Sequence, residues 1–168
     1  MHAVLTNFPS GVNPMRLLSG AALAAALVLS ASTAALAKGA DISPADLAQL
    51  KSYTLSMDKI NAMQAAMDDA KKAGKSEQMR STGDNAQSLA AMEANIKAMP
   101  GAMAIFSKHG LTAHDVVVMP FALMDAGMCI AYPSAAPKLA DRVSPAQVAF
   151  YKAHKAELEK MKWLSGNE

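Results

Sequence analysis

With a single cysteine, Cys129, the 168-residue chain has no partner for an internal disulfide. Stability must therefore come from packing. The patterns that carry common cofactor chemistry are missing as well: there is no glycine-rich phosphate loop, no C-x-x-C-H haem attachment, no H-E-x-x-H, and no paired Cys and His at zinc spacing. Those absences remove most metal and nucleotide enzymes. Neither sign of charge dominates, with 16 Lys and Arg against 14 Asp and Glu, so there is no electrostatic case for nucleic acid or an anionic surface as partner. Two-residue alternation bounded by turn chemistry is also lacking. Only Val116 to Val118 forms a short β-branched run.

What is present begins with an export signal. "MRLLSGAALAAALVLSASTAALA" combines a positive Arg16, an apolar run from Leu17 to Leu29 and a small-x-small site at Ala35-Leu36-Ala37. The run is shorter than the roughly 18 to 20 residues of a membrane span, and the cleavage site follows at once. Residues 1–37 thus read as an upstream extension and secretory signal peptide cleaved after Ala37, with Met1 or Met15 as the start. No cysteine stands where a lipoprotein needs one. Residues 38–168, roughly 130 in number, have the size of one domain, expected in the periplasm or secreted, without stable membrane insertion. In that oxidising setting Cys129, between Met128 and Ile130, reads as a small buried hydrophobe, because no cationic neighbour activates it.

The remaining sequence is helical throughout. Ser43-Pro44-Ala45-Asp46 and Ser144-Pro145-Ala146-Gln147 each place Ser at the N-cap, Pro at the first helical position and an acceptor at the third. After the first, Leu47, Leu50, Tyr53, Met57, Ile60, Met63 and Met67 form one stripe, predicting an amphipathic helix of about 28 residues that ends near Ala73-Gly74. Lys75 to Gln87 is a polar connection. Leu89, Met92, Ile96 and Met99 predict a core-facing helix, interrupted at Pro100-Gly101 and resumed to His109-Gly110. Thr112-Ala113-His114-Asp115 then caps the very apolar stretch up to Tyr132, in which Pro120 predicts a kink or break near Val118. "PSAAPKLADRV" reads as a loop, and a last helix as Pro145 to about Trp163. The fold class expected is all-α, a four- or five-helix bundle in which amphipathic helices surround the apolar one.

A few polar residues on those apolar faces are the candidates for chemistry. Asp125, among Leu123, Met124, Ala126 and Met128, is expected to be desolvated with a raised pKa, the setting of a general acid or base; the plainer reading is a polar stripe reaching solvent or a Lys. Gly127 beside it permits close helix contact. Tyr151 and His154 share the inward stripe of the last helix, and Tyr53 is the third inward polar group. Convergence of Tyr53, Asp125, Tyr151 and His154 would line one pocket; hydrogen bonds within the bundle are the structural alternative. His114 and His109 are read as helix-terminus residues, His109 solvated, and the "KAHKAELEKMK" run as a solvated face. Of the 13 Met, Met1 and Met15 precede the cleavage site, and the rest suit core filling better than a soft-metal site for copper(I).

At "YTLSMDKI", "GLTAHDVVVMPFALMDAGM" and "VAFYKAHKAELEKM" the chain resembles a group of uncharacterised exported bacterial all-helical proteins. The resemblance implies an exported helical domain and carries no catalytic residue. In architecture alone it is also similar to periplasmic b-type four-helix cytochromes, which implies haem held between Met57 and His154. No cofactor is expected from the residues themselves. Two classes of function follow: a domain that binds a small apolar or aromatic ligand or a partner protein, or a small cofactor-independent enzyme of lyase or isomerase type, using Asp125, His154, Tyr151 and Tyr53 as acid and base.

Overall fold

The computed structural model describes residues 42–76, 86–161 and 164. The expected signal peptide, much of the Lys75–Gln87 connection and Trp163 lie outside the described residues. Among the described residues there are seven α-helices and no strand: α1 (Pro44–Ser52), α2 (Met57–Lys72), α3 (Leu89–Ala98), α4 (Ala102–Lys108), α5 (Ala113–Ala131), the short α6 (Ala136–Leu139) and α7 (Pro145–Leu158). The chain is all-α, as the periodicity predicts.

Local chemistry sets most of the starts. Ser43, Ser56, Ser88, Thr112 and Ser144 each have an extended backbone and accept the amide three residues on, satisfying one of the unpaired donors of a helix N-terminus. Thr112 with Asp115, and Ser144 with Gln147, complete reciprocal capping boxes. The ends follow the same logic. Gly74 and Gly110 take φ of 67° and 74° just past α2 and α4, a left-handed conformation that glycine adopts without a Cβ penalty.

Helix α5 is the centre of the fold. It packs against α1, α3, α4, α6 and α7 and the 3₁₀ turn Pro133–Ala135. Val118, Met119, Ala122, Leu123 and Ala126 are fully shielded by those neighbours. By length and composition it would pass for a membrane span, yet most of it is buried within the protein. The break expected near Val118 does not occur, and the helix continues through Pro120. The hydrogen bond lost at proline costs about 3 kcal/mol, which the burial of Val118, Met119 and Phe121 on either side more than offsets.

The first amphipathic stretch also departs from expectation. Instead of one helix of about 28 residues, α1 and α2 are separated by Tyr53–Ser56. Tyr53 is extended (φ −65°, ψ 129°), and Ser56 starts α2 by accepting the Lys59 amide. The reason is tertiary: Nε2 of Gln147 donates to the carbonyls of both Leu50 and Tyr53, at 2.7 and 2.8 Å. Smaller corrections concern the C-terminal third. "PSAAPKLADRV" contains the 3₁₀ turn and α6 rather than an irregular loop, because Leu139 and Val143 are buried beneath α5 with Ala126. The last helix, expected to reach about Trp163, ends at Leu158.

Met63, Met92 and Met119 are buried, and Met57, Met67, Met99, Met103, Met124 and Met161 pack on the main core, the gap-filling use expected of thioethers. Helices α5 and α7 meet at Gly127. A Cβ there would stand 3.0 Å from two ring carbons of Tyr151. Gly127→Ala is therefore expected to lower stability by about 1–2 kcal/mol in urea denaturation despite the better helix propensity of Ala. In a Tyr151→Ala background the same change should raise stability; equal effects in both backgrounds would show that the two residues do not limit the helix approach.

Candidate functional site

Among the described residues four polar or charged side chains are buried: Asp46, Asp115, Asp125 and Gln147. Three of them stand at the third position of a helix, and each reaches from its own N-terminus to another segment. Asp46 on α1 accepts from the Ser43 hydroxyl at 2.9 Å and from the Leu89 amide, the first of α3, at 3.3 Å. Asp115 on α5 accepts the Thr112 amide and hydroxyl at 3.0 and 2.7 Å, the Tyr53 hydroxyl at 2.8 Å and the Lys59 ammonium at 2.5 Å. Gln147 on α7 caps Ser144 through its oxygen and grips the α1–α2 link through its nitrogen.

Asp125 is the exception, a carboxylate in mid-helix with 1% of its surface exposed. Its Oδ2 accepts from Nε of Arg142 at 2.8 Å, an arginine in the turn between α6 and α7. Burial pushes the Asp125 carboxyl up, and the charge and hydrogen bond of Arg142 oppose that push. The desolvation expected of it is present, but the partner is an arginine and neither solvent nor a Lys. One turn on, Cys129 is driven up by burial and then by the charge of Asp125, so its thiol is the reverse of an activated nucleophile.

The four residues expected to share a pocket are partnered separately. Tyr53 is buried, but its hydroxyl is committed to Asp115, with burial and that carboxylate raising its pKa. Asp115 and Asp125 are ten positions apart on α5, about 15 Å along the axis, so Tyr53 is out of reach of Asp125. Burial would raise Asp115, yet hydrogen bonds from Lys59, Thr112 and Tyr53 outweigh it and hold the carboxyl well below its usual range. Tyr151 does lie at the level of Asp125, against Gly127, and its phenol is raised by burial and by Glu159. His154 is half-buried, its ring 4.7 Å from that of Phe150 and its Nδ1 3.7 Å from Glu157. Among the described residues no hydrogen bond joins any two of Tyr53, Asp125, Tyr151 and His154. The break after α1 is the physical reason, since it carries Tyr53 to the N-terminal end of α5.

The other histidines make contacts that link helices. His109 is no solvated terminus: its Nε2 lies 3.0 Å from Asp69, which also accepts from Lys108 at 2.8 Å, tying α4 to α2. Those hydrogen bonds, from Lys108 first and His109 second, hold the Asp69 carboxyl down to about 2. His114 Nδ1 lies 2.8 Å from Glu93, joining α5 to α3, with its ring 5.8 Å from that of Tyr53.

Met57 and His154, the two haem donors that the architecture implies, each have described surroundings. Met57 packs on the main core at the start of α2, whereas the His154 ring rests on Phe150 of its own helix. Among the described residues no group of three or more His, Cys, Asp and Glu is placed to hold a metal ion.

Arg142 and Lys59 escaped sequence reasoning, as did the reach of Gln147, read only as a cap, to the α1–α2 link. A signal for Arg142 existed. Beyond residue 37 the chain has only Arg80 and Arg142, and the latter stands beside Val143 in a short turn, as a buried acid's partner would. Arg142→Ala is expected to cost about 3–5 kcal/mol in denaturant unfolding, because it strands a buried charge. The loss should be larger at pH 7 than at pH 4.5: a carboxyl raised in the fold takes up a proton that the unfolded chain, with its pKa near 3.9, releases as pH rises. Adding Asp125→Asn should recover part of the loss at pH 7. A loss independent of pH and of Asp125 would rule out the ion pair as its cause. Comparison with protein-family models, with curated proteins and with solved structures finds no match to this chain.

Proposed function

We propose that this chain is an exported helical binding domain that takes a small apolar or aromatic ligand or a partner protein. The observation that carries the reading is the use made of its polar core. Asp46, Asp115, Asp125 and Gln147 are each occupied in joining one segment to another, which leaves no uncommitted carboxylate at Asp125 for proton transfer. Apolar surface, by contrast, is on offer at the last turn of α5. Met128 and Tyr132 are 37% and 60% exposed there, and a flexible thioether beside an amphipathic ring suits contact with varied apolar groups. Export is supported by the signal-like sequence ending at Ala37.

Two measurements test the two halves of the proposal. Expressed with its leader in a bacterial host, the protein should be recovered from the periplasm or medium, and its intact mass should correspond to a chain starting at Lys38. An uncleaved chain in the cytoplasm would contradict export. Titrated with N-phenyl-1-naphthylamine, the folded protein should enhance its fluorescence saturably, and Met128→Ser with Tyr132→Ser should weaken binding at least tenfold, the effect of losing roughly 1.4 kcal/mol of contact. No uptake by the folded wild type, with no effect of the double variant on any interaction, would sink the binding reading at this surface.

A further inference from the structure

The link between α1 and α2 contains no proline and no glycine, only Tyr53, Thr54, Leu55 and Ser56. Across it Leu47, Leu50, Tyr53, Met57 and Ile60 keep helical spacing, so nothing in the local pattern requires a break. What maintains it is competition for two carbonyls. In a continuous helix the carbonyl of Leu50 would accept from the Thr54 amide, and that of Tyr53 from the Met57 amide. In the structure a single group, Nε2 of Gln147 on α7, donates to both. Three further contacts favour the broken form: the Tyr53 hydroxyl is held by Asp115, Leu55 is buried, and Ser56 supplies the cap of α2.

We infer that Tyr53–Ser56 is a two-state helix break, in which release of the two carbonyls by Gln147 lets α1 and α2 join into one helix and lifts α1 off α5. The two states satisfy the same two carbonyls with different donors. The Tyr53 carbonyl exchanges the Gln147 amide for that of Met57, and the Leu50 carbonyl, which also accepts the Tyr53 amide in the broken form, exchanges both donors for the amide of Thr54; the rest of the difference lies in Leu55 and the Tyr53 side chain. Because α1 packs directly on α5, joining uncovers part of the most apolar helix of the protein. The device controls access to that surface whatever binds there, and so goes beyond the binding proposal and does not depend on it.

The test uses the whole chain with Gln147→Glu, which keeps the acceptor for the Ser144 amide and removes both donors, and Gln147→Leu, which removes them without adding charge. Hydrogen exchange at Thr54 and Met57 should slow by roughly tenfold in at least one folded variant, the effect of one net backbone hydrogen bond at each site. Ellipticity at 222 nm should rise by the equivalent of about four residues, Tyr53 to Ser56. Adding Thr54→Pro should cancel the slowing at Met57 and the rise in ellipticity, since proline tolerates the extended Tyr53 before it but cannot continue the helix. Exchange at Thr54 and Met57 that stays as fast as in wild type, or loss of cooperative unfolding in both variants, overturns the inference.

Discussion

A helix N-terminus leaves backbone amides without partners, and the usual remedy is a side chain that folds back within the same turn. In this protein the residue at the third position does that and also reaches out of its own helix. Asp46 joins α1 to α3, Asp115 joins α5 to the α1–α2 link and to Lys59, and Gln147 joins α7 to the same link. These are three of the four polar side chains buried among the described residues, and each makes, besides its local cap, at least one hydrogen bond between segments that the apolar core alone would leave free to slide. Burying a polar group without a partner is costly, so each of these groups fixes one register of its helix against another.

The central helix depends on that arrangement. Apolar on nearly every side, α5 presents few features that distinguish one rotation from another. Asp115 near its start and Asp125 near its middle supply two, one held by Tyr53, Lys59 and Thr112, the other by Arg142. Gly127 supplies a third, because the ring of Tyr151 needs the space a side chain would fill. The same contacts account for the chemistry. A carboxylate paired with an arginine and a phenol bonded to a distant aspartate each join segments of the fold, and burial and partnering account for the direction of their pKa displacements.

Some of this could be read directly from residue order. The Ser-Pro-Ala starts, the capping role of Thr112 and Asp115, the stops at Gly74 and Gly110, and the core positions of Leu89, Met92 and Ile96 are local or periodic signals, and the structure has them where the spacing places them. The isolation of Asp125 in an apolar run left open whether it is buried or reaches solvent, and the structure buries it; Gly127 pointed to the close helix contact that the structure has. The pocket of four polar residues rested on a longer chain of inference, in which Tyr53 stayed on one rigid stripe with Met57. That step failed at a single peptide segment, and Tyr53 moved to a different partner.

From the sequence alone came the helical class, most of the helix starts, the stops at Gly74 and Gly110, and which faces are apolar, because these follow from backbone capping and from periodicity within a few residues. The tertiary structure alone decided that α1 and α2 separate, that α5 passes unbroken through Pro120, and that Asp125 belongs to Arg142. Each of those outcomes turns on a contact between residues far apart in the chain, such as Gln147 with Leu50 or Phe121 with the surrounding core, whose energy exceeds the local preference it overrides. Local preference is written in neighbouring residues; the competitor that defeats it is known only once the chain has folded back on itself.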